Sequence, residues 1–431
     1  MNLNTIKSKI AAITKKGLFK DVSWMLIARL INVVIQAAYF VIVARALGAE
    51  NYGSFVGVTS LASLFFPFAA LGSDSVLVKE VSIDRNLFSS YWGNTLLVLC
   101  ASSTGIIIFL LLISPFIFSH SISLLTIALL LLADLFFLGL IEASNKAFRS
   151  VDLMPKTAQM VVLNTAAKLV AALCLVFFFK PTGSATHIGV DTWAILYLVS
   201  SIVVGVVGLI GVGKLAGNPK LNLSRIRDDV NQGIYFSIGT SANNINSNVD
   251  KTMLASMATL DATGIYGSAY RFINIGNVPI LSLFNATYPR FFQHGNKGIK
   301  NCFNFAKKLL PILIGYGVLS IVAFQVFAPL IPKILGPEYE GAVTTLRWLA
   351  PLPAMIGLQL VAADTLTGSN HQKARSHMQV AAAIINVILN LWLIPIYGLF
   401  GAIWATLASD SIKLVGLWTI LFFVYRSETK N

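Results

Sequence analysis

Arg29, Lys251 and Arg271 lie inside stretches otherwise apolar enough to cross a membrane, and with Lys168 and Arg347 they are the candidate groups for binding an anion. A charge at the bilayer centre costs ~2.5–3.5 kcal/mol on insertion scales, so one that is kept there faces a partner, a watery cavity or a solute. The functional reading of such cations is contact with a solute of opposite charge. Amides accompany them. Asn32 and Gln36 follow Arg29 at three- and four-residue spacing, on one helical face. Asn244 and Asn248 share a stripe with Ser237, Ser241 and Lys251; Asn274 and Asn277 accompany Arg271; Asn386 and Asn390 recur later. These groups could contact a polar solute, or join helices at about 0.6 kcal/mol per bond. For each cation the competing reading is a buried ion pair, with Asp250 beside Lys251 available to another helix as well. Arg347 can also reach the interface along its aliphatic stem.

Carboxylates in the same stretches offer a second chemistry. Asp134, Asp250, Asp364 and Asp410 are the candidates for proton or sodium coupling, because a carboxylate taken out of water takes up a proton or cation more readily. Asp74, Glu142 and Asp364 sit near span ends, where simple hydration also accounts for them. Cys100, Cys174 and Cys302 form neither a disulfide framework nor a CxxC site, and the five histidines make no metal pair. No Walker motif or catalytic constellation occurs, so the expectation is a non-enzyme with no cofactor beyond a coupling ion.

The elements that must position these groups are membrane helices. Of 431 residues 56% are hydrophobic and 12% charged, against roughly 25% charged in soluble domains. Apolar runs predict spans near 22–47, 52–77, 91–115, 122–145, 157–179 and 191–213, then 231–258, 263–288, 305–331, 341–366, 376–395 and 398–424. A net charge of +14 does not signal nucleic acid, because the basic residues cluster between spans. With Arg45, Lys307 and Lys308, at span ends, counted with the adjoining loops, only Arg45, Lys180 and Lys333 fall on one side, six lie deeper within spans, and the other 23 of 32 collect on the opposite side, which predicts both termini cytoplasmic. The leader, with Leu3, Ile6, Ile10 and Ile13 at helical spacing, is expected to lie along the inner surface, and the first span to be retained rather than cleaved.

The chain also repeats. The turn around Tyr52-Gly53-Ser54 after the first span resembles Tyr266-Gly267-Ser268 after the seventh, 214 residues on. Two parallel six-helix halves follow. The expected divisions are a leader (1–20), an N-terminal bundle (21–213), a linker (214–230), a C-terminal bundle (231–424) and a tail (425–431). A bland alternative for the repeat is the general preference for Gly-Tyr turns at membrane interfaces.

Val249-Asp250-Lys251-Thr252-Met253-Leu254, followed by Gly264-Ile265-Tyr266 and Ala269-Tyr270-Arg271, resembles the mid-chain pattern of polysaccharide-export flippases. Asn386-Val387-Ile388-Leu389-Asn390 through Ile394-Pro395-Ile396-Tyr397-Gly398 is similar to their last helical hairpin, and with the span layout the likeness covers the whole chain. The resemblance implies an all-α integral membrane protein of about 12 transmembrane helices, in two six-helix bundles around a central cavity, with the multidrug-exporter fold. It further implies a flippase of the bacterial cytoplasmic (inner) membrane. The implied substrate is an undecaprenyl-diphosphate-linked oligosaccharide; the implied neighbours are membrane lipid and the polysaccharide polymerase and chain-length machinery, and no nucleic acid. A cation-coupled multidrug or small-solute antiporter of the same superfamily is the alternative. It would favour an acidic, aromatic cavity over one with Arg29, Lys251 and Arg271.

Overall fold

In the computed structural model residues 3–118, 121–179 and 187–430 are described, with their side chains apart from those of 3–31, 239, 242, 243, 429 and 430. The described residues form helices and no strand. In order they are α1 (Leu3–Phe65), α2 (Ser73–Ile83), α3 (Phe88–Phe118), α4 (Leu124–Leu131), α5 (Leu138–Ser150), α6 (Met154–Phe178), α7 (Val190–Leu215) and α8 (Leu223–Met257). There follow α9 (Leu260–Gly295), α10 (Ile299–Lys307), α11 (Leu310–Phe327), α12 (Ile331–Leu335), α13 (Glu340–Leu349), α14 (Leu352–Gly368), α15 (Gln372–Tyr397) and α16 (Leu399–Lys430). A π-helical stretch, Leu132–Phe137, joins α4 to α5.

Among the described residues nine helical segments are long and apolar enough to cross a membrane. The first runs Asn32–Phe68, through Gly48, whose φ of 73° breaks the helix between the expected first and second spans. α8 and α9, at 35 and 36 residues, have the length but carry too many amides and charges to qualify by hydropathy. Counting the two parts of α1 separately and including α8 and α9 matches the twelve expected spans. Large apolar side chains such as Phe116, Phe177, Phe178 and Trp392 stand outward, as lipid-facing residues of such helices do.

The second span departs from expectation. Its helix stops at Phe65 instead of continuing to residue 77. Pro67 tightens the next turn to a 3₁₀ helix, Leu71 and Gly72 take φ of 46° and 70°, and α2 starts afresh at Ser73. An apolar run does not reveal such a break.

By compactness the chain falls into two units, 1–46 with 65–240 and 47–64 with 241–431. Two stretches fall differently from the expected divisions: residues 47–64 belong to the second unit, and the expected linker 214–230 together with 231–240 stays with the first. Local packing accounts for both. In the first unit Asn94 grips the segment leading into α8, donating to the Asn222 carbonyl at 3.0 Å and to Asp229 at 2.9 Å while accepting from the Asn222 N–H at 3.0 Å. Gly72 and Gly233 then allow backbone against backbone: a Cβ on Gly72 would stand 2.0 Å from the Gly233 carbonyl oxygen. Val76, Leu77, Trp92, Phe148 and Val204 pack into this unit's core.

In the second unit a Cβ on Gly53 would lie 1.7 Å from the Leu260 carbonyl oxygen, and one on Gly264 would lie 1.9 Å from that of Ala49. The two Gly-Tyr segments that form the sequence repeat, both helical, therefore lie against each other in one unit, with Tyr52 and Tyr266 both buried. Thr259 caps α9 there, accepting from the Ala262 N–H. Phe284, Phe291, Leu313 and Val361 form part of this unit's core.

Candidate functional site

Each unit holds a polar network deep among apolar helices. In the first, Asp134 sits on the π-helical stretch, where one extra residue per turn displaces the side chains that follow. Its Oδ1 accepts from the Tyr197 hydroxyl of α7 at 2.7 Å, and that hydroxyl accepts from Lys168 of α6, also at 2.7 Å. The Lys168 ammonium rests 4.3 Å from the Tyr197 ring centroid. Trp193 packs at a tilt against Tyr197, 5.7 Å between ring centroids, and against Tyr39, 5.8 Å, so the phenol is braced by the indole. Asn32 is half-buried and accepts from Thr165; Gln36 is exposed. Arg29 falls on α1, and its side chain lies outside the described residues.

In the second unit the Asp250–Lys251 pair is internal to α8. Lys251 Nζ stands 3.3 Å from Asp250 Oδ1, and the Lys251 N–H donates to the same oxygen at 2.8 Å. The ammonium also donates to the Ser247 carbonyl and lies 4.0 Å from the Tyr270 ring centroid. The other carboxylate oxygen accepts from Tyr266 at 2.6 Å, and the Tyr266 hydroxyl meets Thr406 of α16 at 2.9 Å. Asp250 is 1% and Lys251 7% exposed, so both are effectively dry. Lys251, expected as a cation facing an anionic solute, is thus neutralised by its neighbour: a charge this deeply buried needs compensation within bonding distance.

Arg271, five residues after Tyr266 on α9, is half-buried and hydrogen-bonds the Tyr52 hydroxyl, itself fully buried. Arg271, Asn274 and Asn277, expected on one face, diverge. Asn274 is exposed and Asn277 buried, because steps of three residues drift round a helix of 3.6 per turn. Asn244 donates to the Ser63 carbonyl at 2.9 Å, and Asn248 to Asn244 at 3.3 Å, so this amide stripe ties α8 to the second part of α1. Arg347 is exposed on α13.

Asn386 and Asn390 act as helix glue. Asn386 donates to Ser409 of α16 at 2.9 Å, and Asn390 donates back to the Asn386 carbonyl at 2.8 Å, both being buried. Asp364, a candidate for ion coupling by sequence, is instead ion-paired with Arg375 at 2.9 Å, across the turn that joins α14 to α15. A coupling carboxylate must exchange its partner, and a guanidinium that also bonds Thr367 at 2.8 Å holds it in place. Asp410 accepts from Gln359 at 3.0 Å. Asp74 pairs with Lys146 at 2.7 Å beside Glu142, around a cavity of about 80 Å³.

Tyr197 and Thr406 are the groups whose roles composition concealed. A lone tyrosine within an apolar span was the available signal for Tyr197, since a buried phenol needs a partner.

These helices define a multi-pass membrane protein whose fold is shared with multidrug-exporter and lipid-flippase structures. A solved multidrug transporter of the MATE family, in an inward-facing conformation, superposes with a TM-score of 0.69 at 15% identity over 92% of this chain and 99% of that one. The lipid II flippase MurJ, in an inward closed conformation, gives 0.65 at 13% identity over 91% of this chain and 86% of its own. By sequence, the chain is 22% identical over 410 residues to a proposed O-antigen transporter of Escherichia coli (strain K12), covering 92% of this chain and 95% of that protein. The chain belongs to the polysaccharide biosynthesis protein family, whose model matches residues 18–294.

Proposed function

We propose that this protein is a flippase that carries an undecaprenyl-diphosphate-linked oligosaccharide from the cytoplasmic to the periplasmic leaflet by alternating access, for O-antigen or another surface polysaccharide. The family match over residues 18–294 is the observation that carries this reading. Chemistry supports it. The diphosphate needs cationic donors in low dielectric. Arg271 is the cation assigned to it in the second unit, being half-buried and bonded to a phenol. Arg29 and Lys168 are the corresponding proposals in the first unit. Lys251 is reassigned as Asp250's partner. Sugar hydroxyls would find amides at Asn32, Gln36 and Asn274, while Asn386 and Asn390 hold their own hairpin together. The bacterial inner membrane, cytoplasmic termini, six-helix bundles at 21–213 and 231–424, and partnership with polymerase and chain-length machinery belong to the same proposal.

The alternative, a cation-coupled antiporter, draws on the buried carboxylates Asp134, Asp250 and Asp410. One experiment separates the two. Protein reconstituted into vesicles is offered defined lipid-linked sugars and, separately, cationic drugs, with and without a pH gradient. The flippase reading expects sugar-lipid movement that falls about tenfold or more in Arg271→Ala and partly returns in Arg271→Lys. Unchanged movement by well-inserted Arg271→Ala protein removes Arg271 from the mechanism. Drug exchange without sugar-lipid movement replaces the reading.

A further inference from the structure

The second unit carries a groove of about 630 Å³ on the outer surface of its helices, walled by Leu310 and Ile314 of α11, Leu358 of α14, and Val415, Trp418 and Phe422 of α16. Its lining is apolar except for Thr419. The indole N–H of Trp418 is taken up by the Leu358 carbonyl at 3.1 Å, which leaves the ring as a plain apolar wall. On α16 the lining runs from Leu414 to Phe423, about 14 Å at 1.5 Å per residue. Half of a hydrocarbon core ~30 Å thick is about that depth, so the groove matches a single leaflet in length.

One end of this groove is basic. Lys307 and Lys308 immediately precede α11, whose first residue Leu310 lines the groove, and Arg426 lies one turn beyond Phe423. All three are exposed. The Lys307 ammonium sits 4.6 Å from the Phe303 ring centroid, and Phe303 packs edge-on against Trp418 at 6.1 Å, so aromatic contacts run from the cation to the groove wall. Glu428, the nearby acid on α16, is turned to the Ile299 N–H and His371, each at 3.4 Å.

We infer that this groove binds an anionic glycerophospholipid, with one acyl chain along Trp418 and the headgroup phosphate among Lys307, Lys308 and Arg426. Charge at the mouth selects an anion over a zwitterion, and the one-leaflet length suits an acyl chain. A polyprenyl chain long enough to cross the whole bilayer would overrun it. The site is separate from Arg271 and from both buried networks, and it does not depend on the proposed transport substrate.

Full-length protein in phosphatidylcholine vesicles, doped with either phosphatidylglycerol or phosphatidylcholine bearing brominated acyl chains, tests this by tryptophan quenching. The chain has seven tryptophans, so the signal of Trp418 is the difference between wild type and Trp418→Phe. Brominated phosphatidylglycerol should quench that component at a several-fold lower mole fraction than brominated phosphatidylcholine. Lys307→Gln and Lys308→Gln should each weaken the preference by about fivefold, as expected for one surface cation against an anionic lipid. Should Trp418→Phe insert poorly, headgroup preference in total emission, with and without the two exposed lysine changes, serves in its place. Equal quenching by both headgroups, no quenching by either, or a preference unaffected by the lysine changes overturns the inference. Displacement by undecaprenyl phosphate at far lower mole fraction than phosphatidylglycerol also overturns it, by making a polyprenyl tail the occupant.

Discussion

Both units bury a lysine, a tyrosine and an aspartate in contact, and they arrive at this trio by different routes. In the first unit Asp134, Lys168 and Tyr197 come from three separate segments, with the phenol bonded to both charged groups. In the second, Asp250 and Lys251 are consecutive, and Tyr266 comes from the next helix to complete the carboxylate. The first network is the wetter one: Lys168 is half-buried, whereas Lys251 is 7% exposed. A trio assembled from three segments changes when any one of them moves. A pair within one helix travels with it and stays neutral. The first arrangement is therefore the better suited to exchange protons or ligands, and the second to carry a charge pair through hydrocarbon at little cost.

The largest test of this contrast is Asp250→Asn, which leaves Lys251 charged, dry and uncompensated. It should destabilise the protein by about 3–5 kcal/mol, read as a loss of thermal stability in detergent. Asp134→Asn should cost clearly less, because Lys168 is half-buried and reaches water more easily. Equal losses would erase the distinction between the networks. Changing both members at once, Asp250→Asn with Lys251→Met, should return stability to within about 1 kcal/mol of wild type, since removing a buried pair whole is often close to neutral. If stability returns but transport does not, the pair has a role beyond self-neutralisation.

Tyr266→Phe should come next, at about 1.5–3 kcal/mol, for a hydrogen bond to a charged and buried acceptor. Tyr197→Phe should cost less in stability and more in transport, if the first network is the exchanging one. The reverse order, measured by unfolding and by vesicle assay on the same preparations, would invert the assignment.

The smallest effect concerns a third buried carboxylate, Asp229, which has a neutral partner. Burial pushes its carboxyl above the ordinary carboxylate range, and the Asn94 hydrogen bond only partly opposes this. An acid with a folded value above its unfolded one stabilises the fold while protonated, so its contribution is lost as pH rises from the ordinary range through the raised value. Asp229→Asn should remove that slope, seen as a flatter dependence of unfolding temperature on mildly acidic pH. An unchanged slope would show that the Asn94 pairing fully compensates the buried charge.

Much of this molecule is legible without coordinates. Helix placement follows from apolar runs of sufficient length, and such runs remain apolar whatever they pack against. Asp250 and Lys251 are visible together because they are adjacent. Asp364 reads as a coupling group in sequence because Arg375 lies eleven residues away across a turn, and no periodicity announces that contact. The amides at Asn386 and Asn390 look the same in sequence as those proposed to meet a substrate, and only the position of Ser409 opposite them sets them apart.

Sequence alone determined that this chain crosses a membrane many times, and which of its residues bear the cost of being polar there. Only tertiary structure decided which of those residues satisfy one another. It also decided that residues 47–64 pack with the second unit, through Gly53 and Gly264, rather than with the helices that precede them. The reason is physical: hydrophobicity is a property of each side chain, whereas compensation of a buried charge depends on the distance to a partner.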